Sequence, residues 1–293
     1  LLGQQYRTTH PYTGAAPGGW AWTDLPGGVP DADDTAGALL ALHPLGEPQG
    51  PPDSVLIEAV VGGIGWLLNL QNADGGIPTF CRGWGTLPFD RSAPELTAHA
   101  LRAWQVWTPH LPAAWQQRIH RATDRAVRFL ERSQGKEGSW IPLWFGNENT
   151  DAEINPVYGT AQVLLGLQSV GTHPLAPALK ERAIRFLAAQ QNPDGGWGGG
   201  MGALSTIEET ALALDALAEE PETAPILERG AEWLIQSLES SGEILPSPIG
   251  LYFARLWYFE RLYPLIFACG ALGRMLRCPD GLRKGAGSSL PAP

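Results

Sequence analysis

Lysine is nearly missing from this chain of 293 residues: Lys136, Lys180 and Lys284 are the only three. With 20 basic against 30 acidic residues the net charge is −10, and no Lys/Arg cluster offers the cationic footprint that nucleic-acid binding needs. The same scarcity disfavours highly phosphorylated substrates. Cysteine is scarce too. Cys81, Cys269 and Cys278 form no CxxC pair and no even-numbered disulfide framework, so a reducing compartment is the simpler reading. There is no run of about 18 uncharged apolar residues, the best stretch, Val55 to Leu70, being interrupted by Glu58. No segment is expected to span a membrane. The start, Leu1-Leu2-Gly3-Gln4-Gln5-Tyr6, has neither an initiator Met nor a charged-then-apolar leader, and we expect a fragment whose upstream part is missing.

What the chain does contain is apolar, aromatic and punctuated. A 44% apolar content supplies a core, and 12 tryptophans exclude disorder by composition. The 36 glycines and 26 prolines are not scattered. A Gln-x-x-x-Gly-x-Trp pattern occurs at Gln134–Trp140 and Gln191–Trp197, and with Ile in place of Trp at Gln71–Ile77. Pro17-Gly18-Gly19-Trp20 reads as a half-copy. The final positions 20, 77, 140 and 197 are spaced by 57, 63 and 57 residues, which marks a repeat array. A second repeat runs in phase. Asp34-Thr35-Ala36, Leu96-Thr97-Ala98, Gly159-Thr160-Ala161 and Glu209-Thr210-Ala211 each begin an apolar segment of helical period.

Between these segments lie amphipathic stretches such as Arg125 to Gln134 and Glu181 to Gln191. Each repeat is therefore expected to be an inner, small-residue-rich helix, an outer amphipathic helix and a Gly/Trp turn. Counting Tyr252 to Arg274 as the last inner helix gives five inner and about four outer helices, short of a closed ring. The expected fold is all-α, an α/α double barrel (toroid), with one domain over residues 1–280 and a disordered tail over 281–293.

The strongest chemical constellation is Pro30-Asp31-Ala32-Asp33-Asp34-Thr35-Ala36. Three carboxylates within four residues open an apolar helix. Acids are favoured at any helix N-terminus, and Asp is a common cap. Alternatively, crowding and burial hold one carboxyl protonated at neutral pH as an acid. A magnesium site is a third option, but such clusters work with phosphates and nothing basic accompanies this one.

Together the Asp-x-Asp-Asp-Thr-Ala motif, the Gln–Trp turns and the helix-pair period resemble the squalene–hopene cyclase and related class II triterpene cyclase family. The resemblance runs to about Arg274. It implies an α/α double barrel and protonation of a terminal alkene by the middle acid, here Asp33, flanked by Asp31 and Asp34. The family's Thr-Ala-His appears as Thr97-Ala98-His99, with His99 activating the acid, and Glu95 fills the acidic place four residues before it. No cofactor and no metal are implied.

A carbocation must be kept from water, and aromatic faces stabilise it without bonding to it, each by about 0.5–2 kcal/mol. Candidate lining residues are Trp22, where the family carries a cation-stabilising Phe, then Phe80, Trp84 and Trp144. Tyr252, Phe253, Trp257, Tyr258, Phe259 and Tyr263 form a further aromatic stripe. Trp140 and Trp197 belong to the turns and are assigned to stability.

Two features depart from the family. The connection after Trp140 is lengthened by Gly146 to Glu153, and Leu256 and Phe259 stand where hopene-forming enzymes carry a Tyr pair. Substrate and ring pattern are open on this reading.

The expected partners are a neutral polyprene such as squalene, a missing N-terminal barrel domain of the same protein, and a membrane contacted peripherally at its cytoplasmic side. A homodimer is also admitted. A protein prenyltransferase-like barrel would need a zinc site that includes Asp-x-Cys, which does not occur. A class II diterpene cyclase takes a diphosphate that the scarce positive charge does not favour. A non-enzymatic lipid-binding or scaffold barrel leaves the intact Asp31/Asp33/Asp34/His99 set unexplained.

Overall fold

A computed structural model describes residues 1–45, 54–80, 88–240, 244–251 and 254–278. Trp84, Tyr252, Phe253, Cys81 and the tail 281–293 lie outside the described residues. The chain forms two compact units. One comprises Leu1–Gln134 and Leu165–Leu179, the other Gly135–Leu164 and everything from Lys180.

The first unit contains α1 (Ala32–Leu45), α2 (Ser54–Leu70), α3 (Pro94–Trp107) and α4 (Ala113–Ser133), with a short antiparallel pair of β1 (Ile77–Pro78) and β2 (Ser92–Ala93). α5 (Pro156–Ser169) and α6 (Ala176–Ala189) follow. The second unit contains α7 (Ile207–Leu217), α8 (Ala224–Ser240), the hairpin of β3 (Pro248–Leu251) and β4 (Leu256–Phe259), and α9 (Tyr263–Arg277). The helices that begin at Thr-Ala are apolar nearly all round. In α7 nine of eleven residues are buried. By contrast α4 buries Ile119, Ala122, Thr123, Ala126, Val127, Phe129 and Leu130, the one-sided stripe expected of a partly solvated helix. α1 packs on α2 and α3, and α7 on α8 and α9.

The two in-phase repeats turn out to be one hydrogen-bonded device. The amide of Gln71 donates to Gly75 O at 2.8 Å within the turn and to Ala122 O at 2.9 Å on α4. Gln191 does the same to Gly195 O and Ile226 O, and Gln134 reaches Leu179 O at 3.1 Å. The turn glycines sit at positive φ (Gly75 +95°, Gly138 +96°, Gly195 +100°), where a side chain is disfavoured. The last residue of each turn then gives its backbone N–H to the threonine of the next Thr-Ala helix. These bonds are Trp20 to Thr35 (3.0 Å), Ile77 to Thr97 (2.9 Å), Trp140 to Thr160 (3.0 Å) and Trp197 to Thr210 (2.9 Å). All four threonines are fully buried. The hydroxyl satisfies an amide that would otherwise be left unpaired, which explains why the two motifs keep phase.

Two expectations need correction. Pro17–Trp20 is not a half-copy, because Gln5 supplies the missing amide, donating to Gly18 O and Ala59 O at 2.8 Å each. In this copy the Gln lies 13 residues from its glycine instead of four, so the spacing hid it. Nor is Tyr252 to Arg274 a single helix. Leu256–Phe259 pairs as a strand with Pro248–Leu251, and α9 starts only at Tyr263. Pro264 fits the first turn of a helix but would break its interior. Gly250 allows the close strand approach, since a Cβ there would meet Leu256 O at 1.9 Å.

The tryptophan rings are seated on glycines. A Cβ on Gly63 of α2 would lie 2.7 Å from the Trp20 ring and 3.1 Å from Leu39, and Gly230 of α8 stands in the same relation to Trp197 at 2.6 Å. Gly63→Ala is therefore expected to destabilise the first unit by about 1–3 kcal/mol through overpacking, despite better helix propensity. A urea midpoint equal to or above wild type would show that the ring has room to move.

Candidate active site

The acid motif is held by the turns on either side of it. Asp31 N donates to Trp20 O at 3.0 Å and Ala32 N to Thr79 O at 3.1 Å, so the start of α1 lies between the first turn and the segment after β1. Residues 20 and 80 both pair with Asp31 as isolated bridges. Within the helix Asp34 N donates to Asp31 Oδ1 at 2.7 Å, a side-chain cap for the first turn.

The three aspartates are not equivalent. Asp31 is only 8% exposed. Burial raises its carboxyl well above the ordinary value, and a hydrogen bond from its side chain to Asp34 and the charges of Asp34 and Asp33 add to that. Asp34 is also raised by burial, but its hydrogen bond to Asp31 pulls the other way. Asp33, in contrast, keeps 42% of its side chain exposed and meets Nδ1 of His99 at 2.7 Å. The cluster thus contains one buried carboxyl, Asp31, and two half-buried ones, of which Asp33 meets the imidazole.

A pH prediction follows for Asp31. A carboxyl raised in the native state binds its proton more tightly folded than unfolded. Its contribution is present below the unfolded value and is lost as pH rises through the native one. Stability should therefore fall as pH rises above the ordinary aspartate range. Asp31→Asn, permanently neutral with its Oδ1 acceptor kept, should flatten that slope. Parallel wild-type and variant profiles in urea unfolding from pH 4 to 8 would refute the raised Asp31 carboxyl.

α3 brings His99 to Asp33 because α1 and α3 pack side by side, and Trp107 Nε1 donates to Leu39 O at 2.8 Å to pin them. Glu95 lies buried in the first turn of α3, one turn before His99. The candidate aromatics are dispersed. Phe80 is half-buried beside Asp31 and edge-on to Phe89 at 5.0 Å, whereas Trp22 is 77% exposed. In the second unit Trp144 donates Nε1 to Tyr258 Oη at 3.2 Å, Trp257 is half-buried and Phe259 is exposed.

A second acid pair, Glu208-Glu209, escaped the sequence reading, although it stands in the same register to Thr210-Ala211 as Asp33-Asp34 to Thr35-Ala36. Unlike the first pair, both of its members are buried.

Residues 8–275 match the squalene–hopene cyclase C-terminal domain. The chain belongs to that family. Curated relatives include a terpene cyclase–glycosyl transferase fusion protein of Humicola fuscoatra, 33% identical over 90% of this chain and 22% of the relative. A drimenyl diphosphate synthase of Streptomyces showdoensis is 33% identical over 85% of this chain and 43% of its own length. A squalene–hopene cyclase of Bradyrhizobium diazoefficiens is 30% identical over 77% of this chain and 35% of its own length. The chain thus spans less than half the length of each of these relatives. A solved type II terpene cyclase from Scytonema, in complex with geranylgeranyl dihydroxybenzoate, superposes with a TM-score of 0.65 at 15% identity, over 93% of this chain and 79% of that one. The fold is that of these helical cyclases.

Proposed function

We propose that this chain carries the proton-donating part of a class II terpene cyclase, with Asp33 as the Brønsted acid. The observation that supports this most is the pairing of Asp33 with an imidazole: Asp33 is half-buried and 2.7 Å from Nδ1 of His99, while Asp31 is buried and its carboxyl is raised by that burial.

In the proposed reaction the Asp33 O–H breaks as the terminal alkene's π pair forms a new C–H bond, leaving an aspartate and a tertiary carbocation. A hydrogen bond from His99 to the nascent carboxylate strengthens the acid. Successive double bonds then attack the cation, each ring closure moving the charge along the chain. Phe80, half-buried beside Asp31, is proposed to stabilise the first cation through its ring face.

A neutral polyprene such as squalene is the preferred substrate, because the chain is acidic and contains 20 basic residues against 30 acidic ones. Such a hydrocarbon resides in a bilayer, so peripheral membrane contact belongs to the same reading. No described helix is long and apolar enough to cross a membrane. The second reading is a diphosphate-bearing polyprene, favoured by the 33% identity to a drimenyl diphosphate synthase.

The test is to express the chain with its native flanking sequence, supply squalene or a prenyl diphosphate in parallel, and analyse the extracts by gas chromatography–mass spectrometry. A cyclic product from squalene alone supports the first reading, and one from the diphosphate alone the second. A folded protein that converts neither, across polyprenes of several lengths, would sink both.

A further inference from the structure

The Glu208–Glu209 pair is a structural anchor inside the second unit. Glu208 accepts the backbone N–H of Ser247 at 2.6 Å, just before β3, and Glu209 accepts Asn147 Nδ2 at 3.0 Å. The contact between Asp33 and His99 depends on support of another kind. Asp33 stands in the first turn of α1 and His99 in the second turn of α3, with 66 residues of chain between them. Their separation of 2.7 Å is therefore set by where α3 lies against its neighbours.

Two contacts of α3 fix that position, both within the first unit. Trp107, eight residues beyond His99, is 2% exposed and donates Nε1 to Leu39 O at 2.8 Å, six residues beyond Asp33. At about 1.5 Å of rise per residue, this second tie lies about 9–12 Å along the helices from the first. The Trp107 ring is itself held edge-on against His43 at 5.2 Å and His110 at 5.7 Å, which fixes the direction of its donor.

The other contact is made by Gly166, buried in the part of α5 that belongs to the first unit. A Cβ there would lie 2.6 Å from Ala98 Cβ, 2.8 Å from its Cα and 2.9 Å from its O. The two helices thus touch backbone to backbone at the residue before His99. A side chain at 166 would have to push α3 aside, because close-packed main-chain atoms cannot rotate away and pass the displacement on. On the opposite side His99 lies against α1, its Cε1 3.7 Å from where a Cβ on Gly37 would stand. The imidazole therefore sits beside α1 with α5 behind its helix.

We propose that Trp107 and Gly166 are positioning residues for the acid, seating α3 so that His99 meets Asp33. This rests on the cyclase reading above and deepens it to the residues that hold the acid and its imidazole together.

The test uses the chain with its native flanking sequence. Trp107→Phe keeps a ring but loses the N–H, and Gly166→Ala adds one methyl group against Ala98. Each is made in the wild type and in His99→Ala. Misplacement by about 1 Å costs up to about 100-fold, so each single variant should lower kcat about tenfold with KM changed less than about twofold. In His99→Ala the same substitutions should change kcat less than about twofold, since residues that act through His99 have nothing left to act on. A loss of similar size in both backgrounds would overturn the proposal. So would unaltered kcat in both single variants alongside a lowered urea midpoint, which describes ordinary packing residues. Where Gly166→Ala does not fold, Trp107→Phe decides.

The pairing is also readable without turnover. The ring nitrogen NMR shifts of His99, observed through its carbon-bound protons, report what Nδ1 bonds to, and Asp33→Ala supplies the value for a lost bond. Trp107→Phe and Gly166→Ala should move those shifts toward that value. Ring shifts identical to wild type in the folded variants would overturn the seating even in an active enzyme. A wild-type protein that forms no cyclic product refutes the cyclase reading, and the ring shifts then still decide whether Trp107 and Gly166 set the pair.

Discussion

Asp33→Asn is expected to abolish cyclic product, lowering turnover by at least about 10²- to 10⁴-fold, the range a positioned acid supplies. An amide has the shape of the carboxyl but no proton acidic enough for an alkene. The side chain is 42% exposed, so the substitution should change stability by no more than about 0.5 kcal/mol, as for most surface positions. Loss of activity with an unchanged unfolding curve is the signature sought. Substantial turnover by Asp33→Asn would remove Asp33 from the role of acid. His99→Ala is the companion. It removes a bond of 2.7 Å to a carboxylate, worth about 1.5–3 kcal/mol, so initiation should slow about 10- to 100-fold without stopping. Kinetics unaffected by His99→Ala would make it an ordinary half-buried histidine.

Trp197→Ala is expected to have the largest effect on stability, about 3–5 kcal/mol. The ring is fully buried, donates Nε1 to Leu187 O at 2.8 Å and rests against Gly230. Truncation leaves a cavity where the ring rested against Gly230, and a domain's whole stability is only about 5–15 kcal/mol. Trp22→Ala is the contrast. With 77% of that residue exposed, stability should move by less than about 0.5 kcal/mol, any effect falling on product formation. Urea denaturation of the two variants separates them. A small loss for Trp197→Ala would mean that the Gln–Thr hydrogen bonds, not the ring, hold the turn.

Several features were legible in the sequence because they are local. A Gln four residues before a Gly, with a Trp two further on, describes a turn whose hydrogen bonds close within the motif. The glycine's positive φ leaves few other residues there. Thr-Ala segments of helical period, kept in phase with those turns, revealed the repeat. The Asp31–Asp34 cluster and His99 were also readable, since three acids opening an apolar helix are unusual and Thr97-Ala98-His99 starts the next helix of the same kind.

Other features depend on chain segments distant in sequence. Gln5 completes the first turn from 13 residues away, a separation that no fixed spacing captures. Leu256–Phe259 has an aromatic run that suits helix or strand equally, and only pairing with residues 248–251 decides between them. Three aspartates in four residues look alike on paper. Asp31 is buried and the other two are not, because the start of α1 lies between the turn at Trp20 and the segment at Thr79. The Glu208–Glu209 pair repeats the register of Asp33–Asp34, yet it is closed off because Ser247 and Asn147 fold over it. Spacing along the chain therefore determined the repeat, the turns and the identity of the acid motif, since their residue types recur at short, fixed intervals in the sequence. Burial, and with it the raised Asp31 carboxyl and the hairpin's anchor, was decided only by the tertiary structure, because desolvation depends on what packs against a group and not on its neighbours in sequence.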